Sequence, residues 1–146
     1  TYSALNKFGD RVAIELKEFI ISDKRDGWIC NQIHSEEISR IKKLDLLILS
    51  NNDWMALVWW FVNKTITREK LHMENNFVII EYNDLVSWPK KYINFIFSFC
   101  LLKKTNLFKY IDSSRVGKGK EICLSHDVEE MCKALYQELS NSKIIL

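Results

Sequence analysis

The sequence predicts a helix-rich α/β fold, on three observations. Amphipathic periodicities of about 3.6 residues recur along most of the chain. One short run, Phe77-Val78-Ile79-Ile80, has the composition and flanks of a buried strand. The 146 residues hold only four Gly and one Pro, too few turn formers for an all-β chain of many tight turns. The length suits one domain with a real core. A hydrophobic fraction of 47% excludes intrinsic disorder, because enough surface can be buried to offset the entropy of ordering the chain.

Each element follows from a local pattern. Val12, Ala13, Leu16, Phe19 and Ile20 recur at helical spacing and predict a helix from about Asp10 to Ile21. Ser22 to Trp28 is polar and reads as a loop. Ser35-Glu36-Glu37 ahead of Ile38, Ile41 and Leu44 looks like a capped helix start, with acidic residues suited to the N-terminal dipole. Asn51-Asn52-Asp53 can cap a stronger helix from Trp54 towards Lys70. Its apolar face is Trp54, Leu57, Val58, Phe61 and Ile66, with Lys64, Arg68 and Glu69 opposite. Phe77–Ile80, between Asn75-Asn76 and Asn83-Asp84, is the strand. Pro89 opens the next helix, with Tyr92, Ile93, Ile96, Phe97 and Leu101 on its apolar face. Lys103 to Lys120 is polar and irregular. Ser125 is a natural N-cap for a last helix from about Val128 to Leu139, whose face is Val128, Met131, Leu135 and Leu139. A lone strand cannot satisfy its own backbone groups, so either its partners lie outside these residues, which is the preferred reading, or further strands are present that the pattern does not mark. Thr1 also reads as the inside of an element, so residues 1–146 are taken as a single, partial domain.

Several function classes drop out. The 21 basic and 19 acidic residues leave a formal charge of +2, which argues against a dedicated polyanion surface and against a nucleic-acid partner. Trp54 to Val62 is too short an uncharged run to span a bilayer, and Thr1 to Asp10 lacks the basic and apolar regions of a signal peptide. Cys30, Cys100, Cys123 and Cys132 are widely spaced, and with His34, His72 and His126 they show no ligand spacing. No metal is expected, and the thiols are expected to be reduced.

The best local candidate for chemistry is Ser113-Ser114-Arg115-Val116-Gly117-Lys118-Gly119-Lys120. Glycine lets backbone N–H groups approach an anion, and the Arg fork suits phosphate oxygens. The spacing is not that of a Walker A loop. On these eight residues alone a solvated loop is the simpler reading.

Context adds a resemblance. The run Phe77 to Pro89 resembles sulfotransferases that use 3′-phosphoadenosine 5′-phosphosulfate (PAPS), in which a buried strand leads into Tyr-Glu-Asp-Leu, a spacer, a Pro and an amphipathic helix. Tyr82, Asp84, Leu85 and Pro89 keep that pattern, and Asn83 replaces the Glu. Arg115, Gly117, Lys120, Leu124 and Ser125 match the order of the family's Arg-x-Gly loop, its Leu-Ser and its last helix, with Gly119 where Trp is common. Thr1 to Leu5 looks like the segment after the family's Arg-Asp-Pro motif. The Trp54 to Asn63 helix sits where the family carries one with Trp and Asn. The resemblance is weakest from Ile21 to Asn52.

What it implies is the C-terminal part of a P-loop-like fold, a parallel sheet with flanking helices, whose first strands and phosphosulfate loop precede Thr1. Ser3 and Arg115 would bind the 3′-phosphate, assisted by the Gly117 backbone and by Lys118 or Lys120. Tyr82 would lie near the adenine, and Asp84 would fix the strand-to-helix turn. Local alternatives stand beside these roles: Ser3 as a helix-start hydroxyl, Tyr82 as a half-buried strand residue. The co-substrate would be PAPS, with no metal, and the acceptor a small-molecule or carbohydrate hydroxyl. No catalytic residue is assigned, so this chain alone is expected to lack transferase activity. The cytoplasm is the favoured location, with a Golgi or membrane-anchored parent and a homo-oligomer left open. The alternative is a small helical interaction domain that docks a partner through Trp54, Trp59, Trp60 and Phe61. Trp59 and Trp60 are adjacent and cannot share a helix face.

Overall fold

The computed structural model describes residues 2–24, 30, 33–112, 114 and 122–142, with the helical backbone described for 2–10. Among the described residues six α-helices run in order: α1 (Tyr2–Ser22), α2 (Ser35–Ile41), α3 (Asn51–Arg68), α4 (Tyr82–Ser87), α5 (Pro89–Phe99) and α6 (His126–Asn141). Short 3-10 turns lie at Leu71–Met73 and Leu107–Tyr110.

The expected parallel sheet is not there. Among the described residues no strand is present, and Phe77–Ile80 is half-buried, irregular backbone. The composition of the run was read correctly as apolar and β-branched. A strand, however, exists only through a ladder with another, and among the described residues no segment pairs with this one. The fold class is therefore helical rather than α/β.

The chain divides into two compact units. The first comprises Thr1–Leu71 and Ile122–Glu138, the second His72–Glu121 and Leu139–Leu146. In the first, α1 packs along α3. Its core gathers Val12, Leu16, Phe19 and Ile20 from α1, Ile41 from α2, Trp54, Leu57, Trp60 and Phe61 from α3, and Val128, Met131 and Leu135 from α6. Each large apolar side chain buried in this way contributes roughly 1.5–3 kcal/mol. Polar bonds fix how the helices meet. Glu37, itself buried, accepts the His34 backbone N–H at 3.0 Å and the Arg68 guanidinium at 2.6 Å, tying α2 to the end of α3. The Cys132 thiol reaches the Ala56 carbonyl at 3.6 Å, tying α6 to α3, and Arg40 lies 5.6 Å from the Trp60 ring.

The second unit is smaller. Here α4 packs on α5, and α5 on the Leu107–Tyr110 turn. Val86, Tyr92 and Phe97 are buried, and Phe95 and Phe99 stack at 5.9 Å. Pro89 supplies the N1 residue of α5 and pushes Trp88 to φ −128°, ψ 56°, which ends α4.

Helix boundaries depart from the sequence reading in instructive ways. The N-cap of α3 is Ser50, with Asp53 at the third helical position returning the bond, so the capping signal is Ser50-x-x-Asp53 rather than the Asn-Asn-Asp run. Leu101, expected on the buried face of α5, lies past its end and is 92% exposed. The predicted face of α6 is borne out: Val128, Met131, Leu135 and Leu139 are all buried.

Candidate functional site

Tyr82 is the first residue of α4 and follows the irregular run 77–80 and the extended N-cap Glu81. Its side chain is 55% exposed, not the half-buried strand residue of the alternative reading. It lines an open cavity of about 370 Å³ with Leu85 and Val86 of α4 and with Tyr110, Ile111 and Asp112. Tyr110 is itself exposed, with the Lys109 ammonium 5.0 Å from its ring. Asp112 then accepts the Ser114 backbone N–H at 3.0 Å, an Asx-type turn that bends the chain just before Arg115.

Two phenol rings and an aliphatic wall suit a flat ring with apolar faces, such as a purine. The Asp112 carboxylate would repel a phosphate inside the cavity but can accept a bond from an amino group. The next residues in the chain are the Arg115–Lys120 stretch. Arg115, Gly117, Lys118 and Lys120 lie outside the described residues. Ser3 lies on the backbone of α1 in the first unit. Of the predicted site residues, Tyr82 alone has a described side chain.

Tyr110 and Asp112 were missed by sequence reasoning. The signal was present: an aromatic and an acid sit within five residues of Arg115, but in a stretch read as irregular.

A second polar cluster lies in the first unit and proves to be structural. Asp53 is 2% exposed, and its carboxylate accepts the Ser50 hydroxyl at 2.7 Å, the Ser50 backbone N–H at 2.8 Å and the Ser125 backbone N–H at 2.7 Å. Burial pushes this carboxyl up. The bonds from Ser50 and Ser125 outweigh that and hold it below the ordinary carboxylate range. Ser125 does precede α6, as expected of a cap. Its hydroxyl, though, is buried near Asp53 without reaching hydrogen-bond geometry, and its backbone N–H makes the bond instead. His34 and His126 are exposed at helix starts, and His72 is half-buried in a 3-10 turn. Among the described residues no group of His, Cys, Asp or Glu could hold a metal ion, and no helix is long and apolar enough to cross a membrane. Comparisons with protein families, with characterised proteins and with solved structures find no match to this chain.

Proposed function

We propose that this chain binds the 3′-phosphoadenosine part of PAPS and serves sulfuryl transfer to an acceptor hydroxyl. The observation that carries the reading is the cavity in which Tyr82, the residue assigned to the adenine, meets Tyr110 and Asp112, directly ahead of Arg115 in the chain. A base held between tyrosines would leave its ribose 3′-phosphate to the Arg115–Lys120 cations, where a guanidinium fork and glycine backbone can neutralise it. Asp112 would accept from the exocyclic amine and select a purine carrying one. When bound, PAPS supplies the activated sulfuryl group. The chain's own part is to anchor and orient the nucleotide, and no residue is assigned to proton transfer.

The test is titration of the chain with 3′,5′-adenosine bisphosphate, followed by NMR on tyrosine ring signals. Tyr82 and Tyr110 should shift, with 5′-AMP at least tenfold weaker because it lacks the 3′-phosphate. Arg115→Ala should erase that difference. Equal affinity for the two nucleotides, or no effect of Arg115→Ala, would sink the assignment.

One observation favours the interaction-domain reading. Of the four aromatics expected to dock, Trp54, Trp60 and Phe61 are buried in the core, and Trp59 alone is exposed, at 39% on α3 beside Val62 at 43%. An outward Trp beside a Val would suit a partner's apolar surface. That reading requires iodide to quench Trp59, an outcome independent of nucleotide binding.

A further inference from the structure

Between Leu85 and Ile111 the chain carries five Lys and no Asp, Glu or Arg, although its total formal charge is only +2. The same stretch holds out large apolar side chains: Leu101 is 92% exposed, Trp88 67% and Leu102 57%. Charge and exposed hydrocarbon thus coincide in one short region of the second unit.

The turn that ends α5 is built to present those leucines. Leu102 N–H reaches the Phe97 carbonyl at 2.8 Å and Leu101 N–H the Ser98 carbonyl at 3.3 Å, the paired bonds of a Schellman turn. Leu101 has φ 55°, in the left-handed region where a side chain with a Cβ is disfavoured and glycine is the usual occupant. The residue after such a turn ordinarily folds its side chain back onto the helix. Leu102 instead faces solvent, and the exposed Lys103 and Lys104 follow it. At the other end of α5, about 16 Å away for 11 residues, exposed Trp88 stands beside exposed Lys90. Among the described residues no carboxylate pairs with Lys90, Lys103 or Lys104.

We propose that α5 and the turn after it dock on an anionic lipid surface. Leu101 and Leu102 enter the acyl boundary, Lys103 and Lys104 sit among the phosphates, and Trp88 with Lys90 anchors the far end at headgroup depth. Nucleic acid is the poorer fit. Leu101 and Leu102 cannot stack on bases, which leaves stacking to Trp88 at the far end of α5, and the stretch offers no guanidinium for paired phosphate or base contacts. The charge complementarity and the strained, solvent-facing leucine are independent of the nucleotide reading.

The experiment is co-sedimentation of the full chain with phosphatidylcholine vesicles, with and without roughly one-quarter phosphatidylserine. Binding should require phosphatidylserine and fall in about 0.5 M salt, where screening is short-ranged. Lys103→Glu with Lys104→Glu should lower partitioning at least tenfold, since each lysine at an anionic surface contributes about a fivefold gain. Leu101→Gly separates the proposal from a fold defect. It relieves the left-handed position, so the melting temperature should hold or rise, while vesicle binding falls about tenfold. Three results would overturn the proposal: Leu101→Gly binding vesicles like the parent; equal binding with and without phosphatidylserine; or no vesicle binding alongside a single-stranded RNA complex or a Leu101-dependent dimer.

Discussion

Asp53 offers the sharpest test of how the first unit is held together. Its carboxylate joins the start of α3 to the residue that precedes α6, taking three bonds of 2.7–2.8 Å at 2% exposure. Bonds to a charged acceptor contribute roughly 1.5–3 kcal/mol each, without full additivity, and a buried N–H left unpaired carries a further penalty. Asp53→Ala strands the Ser125 N–H and opens the capping box, so a loss of about 3–4 kcal/mol is expected. That is a large share of the 5–15 kcal/mol typical of a domain. Asp53→Asn keeps the shape and one acceptor oxygen but turns an amide N–H₂ towards donors, for about 2 kcal/mol. Ser50→Ala, which removes the hydroxyl alone, should cost about 1 kcal/mol. Urea unfolding followed by far-UV circular dichroism measures all three. The pH dependence follows from the direction of the shift. The folded carboxyl lies below its unfolded value of 3.8, so its contribution is complete above that pH and is lost as pH falls towards the folded pKa. Asp53→Asn should flatten that acid limb. An Asp53→Ala loss under about 0.5 kcal/mol, or an unchanged acid limb in Asp53→Asn, would refute the reasoning.

Two further outcomes follow from burial. Trp60 is 2% exposed beneath Arg40, so Trp60→Ala should cost about 4 kcal/mol, whereas Trp59→Ala should cost less than about half of that; thermal melts compare the two. Burial pushes the Cys132 thiol up to about 11, and Cys30 is buried, while Cys100 and Cys123 are exposed. At pH 8, mild alkylation read by peptide mass spectrometry should label Cys100 and Cys123 well before Cys30 or Cys132.

How far the sequence could be read depended on the range of the interaction behind each feature. The face of α6 repeats every three to four residues and needs nothing beyond its own helix, so Val128, Met131, Leu135 and Leu139 were placed correctly. The start at Pro89 was legible for the same reason. Tyr82 was legible as a candidate, but Tyr110 and Asp112, which share its cavity, come from a stretch with no periodicity to reveal it. The sheet was misjudged because four apolar residues specify an extended preference but not a partner. Leu101 was misplaced because the helical period carries it onto the apolar face, whereas the chain turns out through a left-handed residue first. The overall charge balance likewise concealed a run of five lysines from Leu85 to Ile111.

By itself the sequence determined that helix dominates the chain, where most of the helices lie, the buried faces of the strongest of them, and the basic Arg115–Lys120 stretch. These rest on composition and on contacts within a few residues. Only tertiary structure decided that Phe77–Ile80 forms no sheet among the described residues, that Asp53 holds Ser125, that Tyr82 and Tyr110 line one cavity, and that Leu101 faces water. Each of these depends on residues distant in sequence, or on one backbone angle at a helix end, and neither leaves a periodic trace.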